Sequence, residues 1–350
     1  MRSNAIPAPG HQAPSVDIED PVALLPYLRA HDLIGSGNTP RMTRLGGGVS
    51  NRIVLVEPAG STAFVLKQAL AKLRVEWDWF GSPGRIHCEA EGVRALQELA
   101  PRGSITALLF EDFQEHIIAL SAVPMPHCTW KETLLTGAPR RRQFRMFGQL
   151  LGEIHARSCN SVKLARAFDD RSNFESLRLE PYYRFSASRL PAAGNFLDGL
   201  IEETLSNRIC LVHGDYSPKN ILVREGKFVL VDHEVIHYGD PAFDVGFALT
   251  HLLAKALHRE PLRRCLIEGA RLCTRAYLLC LRKAAFDPDF EARACRHTIG
   301  CLLARVLGRS PLEYLSETER ERQIGIAMDL RSMSPLTLLQ FISWFEEALA

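Results

Sequence analysis

The spacing of apolar and polar positions changes twice along this chain, and the changes divide it into parts. From Met1 to Val16 no period is visible. Pro, Ala and small polar residues dominate, and the expectation is a flexible tail over residues 1–19. Asp20-Pro21 then supplies an N-cap followed by proline at the first helical position, and Val22 to His31 repeats apolar residues at helical spacing. From Met42 the period shortens. Met42 to Leu45, Ile53 to Glu57 and Ala63 to Gln68 are predicted strands, parted by Gly-rich or Pro-Ala-Gly turns. A Trp-bearing loop, Trp77 to Gly84, leads into a predicted helix from Ile86 to Leu99. Two more strands follow, near Ala107–Phe113 and Ile117–Val123. Pro124 and Pro126 interrupt the pattern and place a hinge near Ser121 to Met125.

Beyond the hinge the period is mostly helical. Arg142 to Arg157 is amphipathic. Asn220 to Val223 and Phe228 to Val231 flank a tight Arg-Glu-Gly-Lys turn, and from Asp244 onward helix follows helix. The expected fold class is α+β, with two lobes. Residues 20–123 form a small, mostly antiparallel β lobe with one helix, and residues 124–350 a larger, mostly helical lobe. A chain of 350 residues is long enough to bury a core in each.

Composition narrows the function classes. The formal net charge is +2, which gives no electrostatic footprint for nucleic acid. The run Arg140-Arg141-Arg142 reads as a solvated helix start. No apolar run is long enough to span a bilayer, and the N-terminus lacks the basic-then-apolar order of a secretory signal. The expectation is a cytoplasmic protein with no membrane or nucleic-acid partner; whether it forms a homodimer stays open. The nine cysteines are odd in number and none lies in a C-x-x-C pair, so reduced thiols are expected. Cys265, Cys273 and Cys280 recur near helical spacing and could line one apolar face.

Candidate chemistry concentrates in Val212-His213-Gly214-Asp215-Tyr216-Ser217-Pro218-Lys219-Asn220-Ile221-Leu222-Val223, followed by an apolar strand and Asp232-His233-Glu234. Phosphoryl transfer needs a carboxylate to orient the attacking hydroxyl and oxygen ligands to hold magnesium against the phosphates. Asp215, on a loop entered from an apolar stretch, suits the first role. Asn220 and Asp232 suit the second, because an amide oxygen and a carboxylate are hard ligands for a hard cation. A loop followed by a hairpin would bring these two to one end of adjacent strands. Either aspartate alone could be a turn former; the ordered set with a strand between is far less common.

Upstream, Leu45-Gly46-Gly47-Gly48-Val49-Ser50-Asn51 lies between two predicted strands, where backbone without Cβ atoms can approach phosphates closely. Lys67 ends the apolar run Phe64-Val65-Leu66, and Glu89 lies on the following helix, the order in which kinases place a phosphate-contacting lysine and its glutamate partner. Backbone groups of Ser121 and Val123 would face an adenine.

These motifs resemble the aminoglycoside phosphotransferase and choline kinase group, which shares the protein-kinase-like fold. The likeness runs from about Leu45 to Gly308 and rests on H-G-D-x-x-x-x-N, the apolar strand and D-x-E. It implies a kinase that uses ATP and Mg2+ and phosphorylates a hydroxyl on a small molecule. Asp215 would be the catalytic base, and Asn220 and Asp232 the metal ligands, with Glu234 beside the metal or the substrate. Asp244, in Phe243-Asp244-Val245-Gly246, and His213 would be structural supports, as would His155. A narrower likeness, to the 5-methylthioribose kinases, rests on Lys67-Gln68-Ala69-Leu70 with Arg74, on Cys88-Glu89-Ala90-Glu91, on Tyr238-Gly239, and on Leu303-Ala304-Arg305-Val306-Leu307-Gly308. It implies that Arg305 binds a sugar. Two departures stand out: those kinases usually lack the asparagine found at Asn220, and Ala304 replaces the first of their paired arginines. The likeness therefore supports a relative of these kinases more than the same substrate. An aminoglycoside or amino alcohol acceptor is the alternative, and a nucleotide-binding pseudokinase a third reading. Pseudokinases usually lose the lysine, the base or the metal ligands, all of which are present here.

Overall fold

A computed structural model describes residues 16–46, 49–75, 78–137, 139–282 and 287–350. The N-terminal part is a five-stranded antiparallel sheet in the order β1-β2-β3-β5-β4, formed by β1 (Arg41–Arg44), β2 (Asn51–Glu57), β3 (Phe64–Ala69), β4 (Leu108–Asp112) and β5 (Ile117–Ser121). Successive side chains of β5 point to opposite faces. Ile117 and Ala119 pack on one side with Val54, Val56, Phe64 and Leu66; Ile118 and Leu120 pack on the other with Ala69. The unbroken apolar run of β5 follows from burial on both faces.

Two helices cover those faces, where the sequence predicts one for the lobe. Helix α1 (Pro21–Ala30) lays Leu24, Tyr27 and Leu28 on the first face. Asp20 caps it through a side-chain bond to the N–H of Val22. Helix α2 (Arg85–Leu99) lays Ile86, Ala90 and Val93 on the second. Each fully buried Leu, Ile or Val among these contributes about 1.5–3 kcal/mol. The expected tail also needs correction. Residues 16–19 are packed: Ile18 is buried in the α1 face of the core, and its N–H meets Gln68 Oε1 at 3.5 Å. Val16 packs on the same core, and Asp17 and Glu19 pair with Arg52, Arg44 and Arg74, so the segment is anchored on both its apolar and its polar side. Residues 1–15 lie outside the described part.

After β6 (Cys128–Thr129) the chain is mainly helical, with α3 (Trp130–Thr136), α4 (Arg141–Ser158), α5 (Val162–Ala167), α6 (Ser172–Phe174), a π-helix over Glu175–Arg184, α7 (Phe185–Arg189) and α8 (Gly194–Ser206). Two small β units then carry the chemistry-bearing segment. Strands β7 (Cys210–Val212) and β10 (His237–Gly239) pair with each other, and β8 (Ile221–Arg224) and β9 (Lys227–Leu230) form a hairpin beside β6. The bulk of the core lies among α9 (Pro241–His258), α10 (Arg263–Leu281), α11 (Phe290–Leu307), α12 (Glu317–Met333) and α13 (Leu338–Glu347).

Helices α4 and α10 approach so closely that a Cβ on Gly148 would lie 2.0 Å from the Cys273 carbonyl oxygen. Along α10 the expected cysteine face is only partly realised. Cys273 is buried and Cys280 half-buried, but Cys265 is exposed near the helix start. All nine cysteines are free thiols. Among the described residues no helix is long and apolar enough to cross a membrane.

Candidate active site

The cleft between sheet and helices holds a cavity of about 420 Å³. Its walls include Gly46, Ser50, Asn51, Lys67, Glu89, Ser121, Val123, Asp215, Asn220, Asp232, Glu234 and Arg305. The sequence-predicted site residues that are described, apart from the supports His213 and Asp244, thus converge on one space. Gly47 and Gly48, also expected there, lie outside the described residues.

Lys67 reaches the cavity from β3 and Glu89 from α2. Its ammonium donates to Glu89 Oε1 and Oε2 at 2.6 and 2.8 Å, and to Asp232 Oδ1 at 2.9 Å. Burial opposes charge on this lysine, but Asp232 and Glu89 outweigh it and hold the ammonium above its ordinary pKa. Burial pushes the Glu89 carboxyl up against the pull of Lys67. Asp232 is held below the usual carboxylate range, because Lys67, Lys219 and Arg178 together outweigh its burial. Lys67, Glu89 and Asp232 carry one excess negative charge when ionised, a set that suits a cation.

The loop after β7 presents Asp215. Gly214 makes the turn at φ 75°, where a Cβ would meet Val235 Cγ2 at 2.9 Å and its carbonyl oxygen at 3.0 Å, so only glycine fits. Behind the loop, fully buried Asp244 accepts the N–H groups of His213 at 2.7 Å and Gly214 at 2.8 Å. His155 Nε2 meets Asp244 at 3.2 Å, and the other ring nitrogen meets the Tyr277 hydroxyl at 2.8 Å. His213 Nδ1 accepts the Asp215 N–H at 3.2 Å. Burial lowers the His213 pKa, which keeps that ring neutral and able to accept.

Asn220 sits at the end of a 3₁₀ turn, and its Nδ2 donates to Asp215 Oδ2 at 2.8 Å. In the hairpin Ile221 faces Leu230, and the Val231 N–H reaches the Asn220 carbonyl at 3.0 Å. Asn220 and Asp232 therefore do stand at the same end of the hairpin. Asp232 itself adopts φ 71°, an uncommon backbone for a residue other than glycine and one that aspartate tolerates better than most.

Two arginines escaped the sequence reading. Arg178, on the π-helix, places Nη2 3.0 Å from Asp215 Oδ2, while its Nε donates to the Gly214 carbonyl at 2.9 Å. Arg85, fully buried at the first position of α2, donates from Nε to Glu234 Oε2 at 3.1 Å, and it also reaches the carbonyls of Ser50, Leu70 and Ser82. Asn51 donates to the same Glu234 oxygen at 3.1 Å. Glu234 thus ties the start of β2 and the start of α2 to the β9–β10 segment. A cation at the start of a helix opposes the macrodipole. That local oddity is the signal that could have singled out Arg85; Arg178 has no comparable one.

At the hinge, Ser121 spends its N–H on Ala107 and its hydroxyl accepts the Ala107 N–H, both at 2.8 Å. Of the expected pair, Ser121 therefore offers the cavity no free N–H. Arg305 comes from α11, with Nη1 donating to the Tyr182 hydroxyl at 3.2 Å and to Ser310 Oγ at 3.0 Å.

A sequence profile of the phosphotransferase enzyme family named APH matches residues 41–276. The chain belongs to that family. The matched span reaches from the first strand of the sheet into α10 and contains the whole cavity wall except Arg305 and Ser310. Among curated proteins, a methylthioribose kinase of Pectobacterium atrosepticum is 25% identical over 236 residues, which are 60% of this chain and 58% of that kinase. Among solved structures, a choline/ethanolamine kinase family protein from Mesorhizobium loti is similar, with a TM-score of 0.51 at 15% identity over 89% of this chain and 94% of that one. An amicoumacin kinase in complex with AMP-PNP and Ca2+ gives 0.54 at 16% identity over 86% of this chain and 90% of its own. The protein-kinase-like fold expected from the motifs is the fold this chain has.

Proposed function

We propose that this phosphotransferase moves the γ-phosphoryl of magnesium-bound ATP to a hydroxyl of a sugar-like metabolite, with Asp215 orienting and deprotonating that hydroxyl. The observation that carries the reading is the sharing of one cavity by Asp215, Asn220, Asp232 and the Lys67–Glu89 pair. Nucleotide use with a divalent metal is supported by the family membership and by the fold shared with a kinase whose complex contains AMP-PNP and Ca2+.

The nucleotide supplies the phosphoryl group, and the metal neutralises charge on it. Lys67 would hold the α/β-phosphates, released from Asp232 and steadied by Glu89. Asp232 and the amide oxygen of Asn220 would hold the metal, because the side-chain bonds of Asn220 to Asp215 use its amide nitrogen. Glu234 was expected beside the metal or the substrate. Its contacts with Arg85 and Asn51 favour a role in fastening the two lobes instead. Arg178 would keep the Asp215 carboxylate aimed until the acceptor hydroxyl is in place. Of the acceptors open on sequence grounds, cationic ones fit poorly, because the wall around Arg305 and His251 is basic.

The test is ADP release from magnesium-ATP over a panel of hydroxylated acceptors, with Asp215→Asn alongside. The variant should lose about 10²–10⁴ in kcat, as for removal of a general base, while its nucleotide affinity holds. A variant that keeps more than about a tenth of the turnover would remove Asp215 from the reaction.

A further inference from the structure

Every carboxylate lining the cavity has a cation against it. Glu89 and Asp232 have Lys67, Asp215 has Arg178, and Glu234 has Arg85. The α9–α11 wall has the opposite balance. Among the described residues no carboxylate forms an ion pair with Arg305, and its buried Nε has no partner. Its guanidinium lies 5.7 Å from the centroid of the Tyr182 ring, as does that of Arg178. His251, on α9 and also lining the cavity, is 6% exposed, and its Nε2 has no partner.

One turn farther along α9, Lys255 is 1% exposed. It donates to the His251 carbonyl at 3.1 Å and to the Tyr314 hydroxyl at 3.5 Å. Burial, with Lys131 and Arg305 nearby, brings its ammonium down to about 7. Glu313 pulls the other way and favours the ammonium, but it is itself tied to Lys131. Among the described residues neither Arg305 nor Lys255 has an ion-pair partner, and with the unpartnered imidazole nitrogen beside them they form a wall that an anion would complete, favouring the charged form of Lys255.

We propose that the acceptor carries an anionic group besides its hydroxyls, a carboxylate or a phosphate, and that Arg305 and His251 hold it on the α9–α11 wall while Lys255 adds positive charge from behind. This rests on the reading that the cavity takes nucleotide and acceptor together. It separates the acceptor from neutral thiosugars and from cationic antibiotics.

The experiment is calorimetric binding to the full chain in the presence of magnesium and AMP-PNP. The probes are tetroses, pentoses and hexoses, each beside its aldonic acid and its terminal phosphate, and the two anionic series distinguish carboxylate from phosphate. At least one anionic member should bind about tenfold or more tighter than its neutral partner. Arg305→Gln should erase about tenfold to a hundredfold of that affinity, the range for a lost charged hydrogen bond, and leave nucleotide affinity in place. Arg305→Lys should retain part of it. Thermal melting confirms that both variants are folded.

Neutral members binding as well as their anionic partners, or no anionic member binding, would overturn the proposal while leaving phosphoryl transfer standing. So would an Arg305→Gln variant that weakens nucleotide binding instead, since the arginine would then serve the nucleotide phosphates. Anion binding that never stimulates ADP release would uphold the anion site and sink the transfer reading.

Discussion

Glu89 and Asp244 are both fully buried carboxylates, and the surroundings satisfy them differently. Asp244 accepts two backbone N–H groups and a histidine, each fixed by a turn or a helix. Burial alone would raise its pKa, but the bonds from His155 and the backbone win and hold it below the usual carboxylate range. Glu89 has one strong partner, Lys67, on the end of a flexible stem, and the Lys67 ammonium is shared with Asp232. Its pKa moves the other way, up, because burial wins there. The first arrangement is closed and has nothing left to offer a ligand. The second faces a cavity and has a partner that can move. A fixed network braces the Asp215 loop, and the pair with a movable member is the one proposed to meet the phosphates.

Asp244→Ala tests the closed side and should have the largest effect on folding. It strands two backbone donors and His155 in a dry interior. Breaking a buried hydrogen-bonded charge in this way costs about 3–5 kcal/mol. Urea denaturation would read the loss, and a variant within about 1 kcal/mol of the parent would mean that the network is not a brace.

A smaller effect should appear with acid, on the same packed side. His297, facing Gly246 of α9, bonds to the Tyr183 hydroxyl at 2.9 Å. Burial, with Arg293 and Arg296 nearby, brings its pKa down to about 3. In the unfolded chain a histidine binds a proton below about 6.5, whereas the folded one stays neutral to about 3. The unfolded state therefore holds more protons in that window, and stability falls as pH falls through it. Between pH 7 and 5 this single group should cost about 2 kcal/mol. His297→Gln should flatten the pH dependence of unfolding by that amount, whatever it does at pH 7; an unchanged slope would count against a neutral buried ring.

The two sides were not equally legible in the sequence. Strand and helix order followed from period, because β5 is apolar on both faces and α4 on one. The Asp215, Asn220 and Asp232 constellation could be read because its members lie within one loop and one hairpin. Arg178 could not, since it reaches Asp215 only through a π-helix, whose wider turn changes which side chains share a face. The pairing of Arg85 with Glu234 joins residues 149 positions apart across the cleft, and no local pattern records it. The second N-terminal helix was misjudged at the level of the lobe. The period of α1 reads as helical, but only the sheet's first apolar face, on which it packs, shows why it belongs to the lobe.

Glu89→Gln bears on the movable side and should have the smallest effect. Glutamine keeps the shape, so the α2 packing around Ile86 and Val93 stays intact. The change removes a buried charge whose desolvation already opposes its pairing, so unfolding free energy should stay within about 1 kcal/mol of the parent. Lys67 would keep Asp232 as its one full counter-ion and be drawn toward it. That takes the ammonium away from the place proposed for the phosphates and sets it in competition with any cation at Asp232. Nucleotide KM should therefore rise about tenfold, the size expected for one charged hydrogen bond, and more magnesium should be needed for half-saturation. Steady-state kinetics at several magnesium concentrations would measure both. If KM for ATP were unchanged while stability fell as far as in Asp244→Ala, Glu89 would be a second brace, and the contrast between the two carboxylates would collapse.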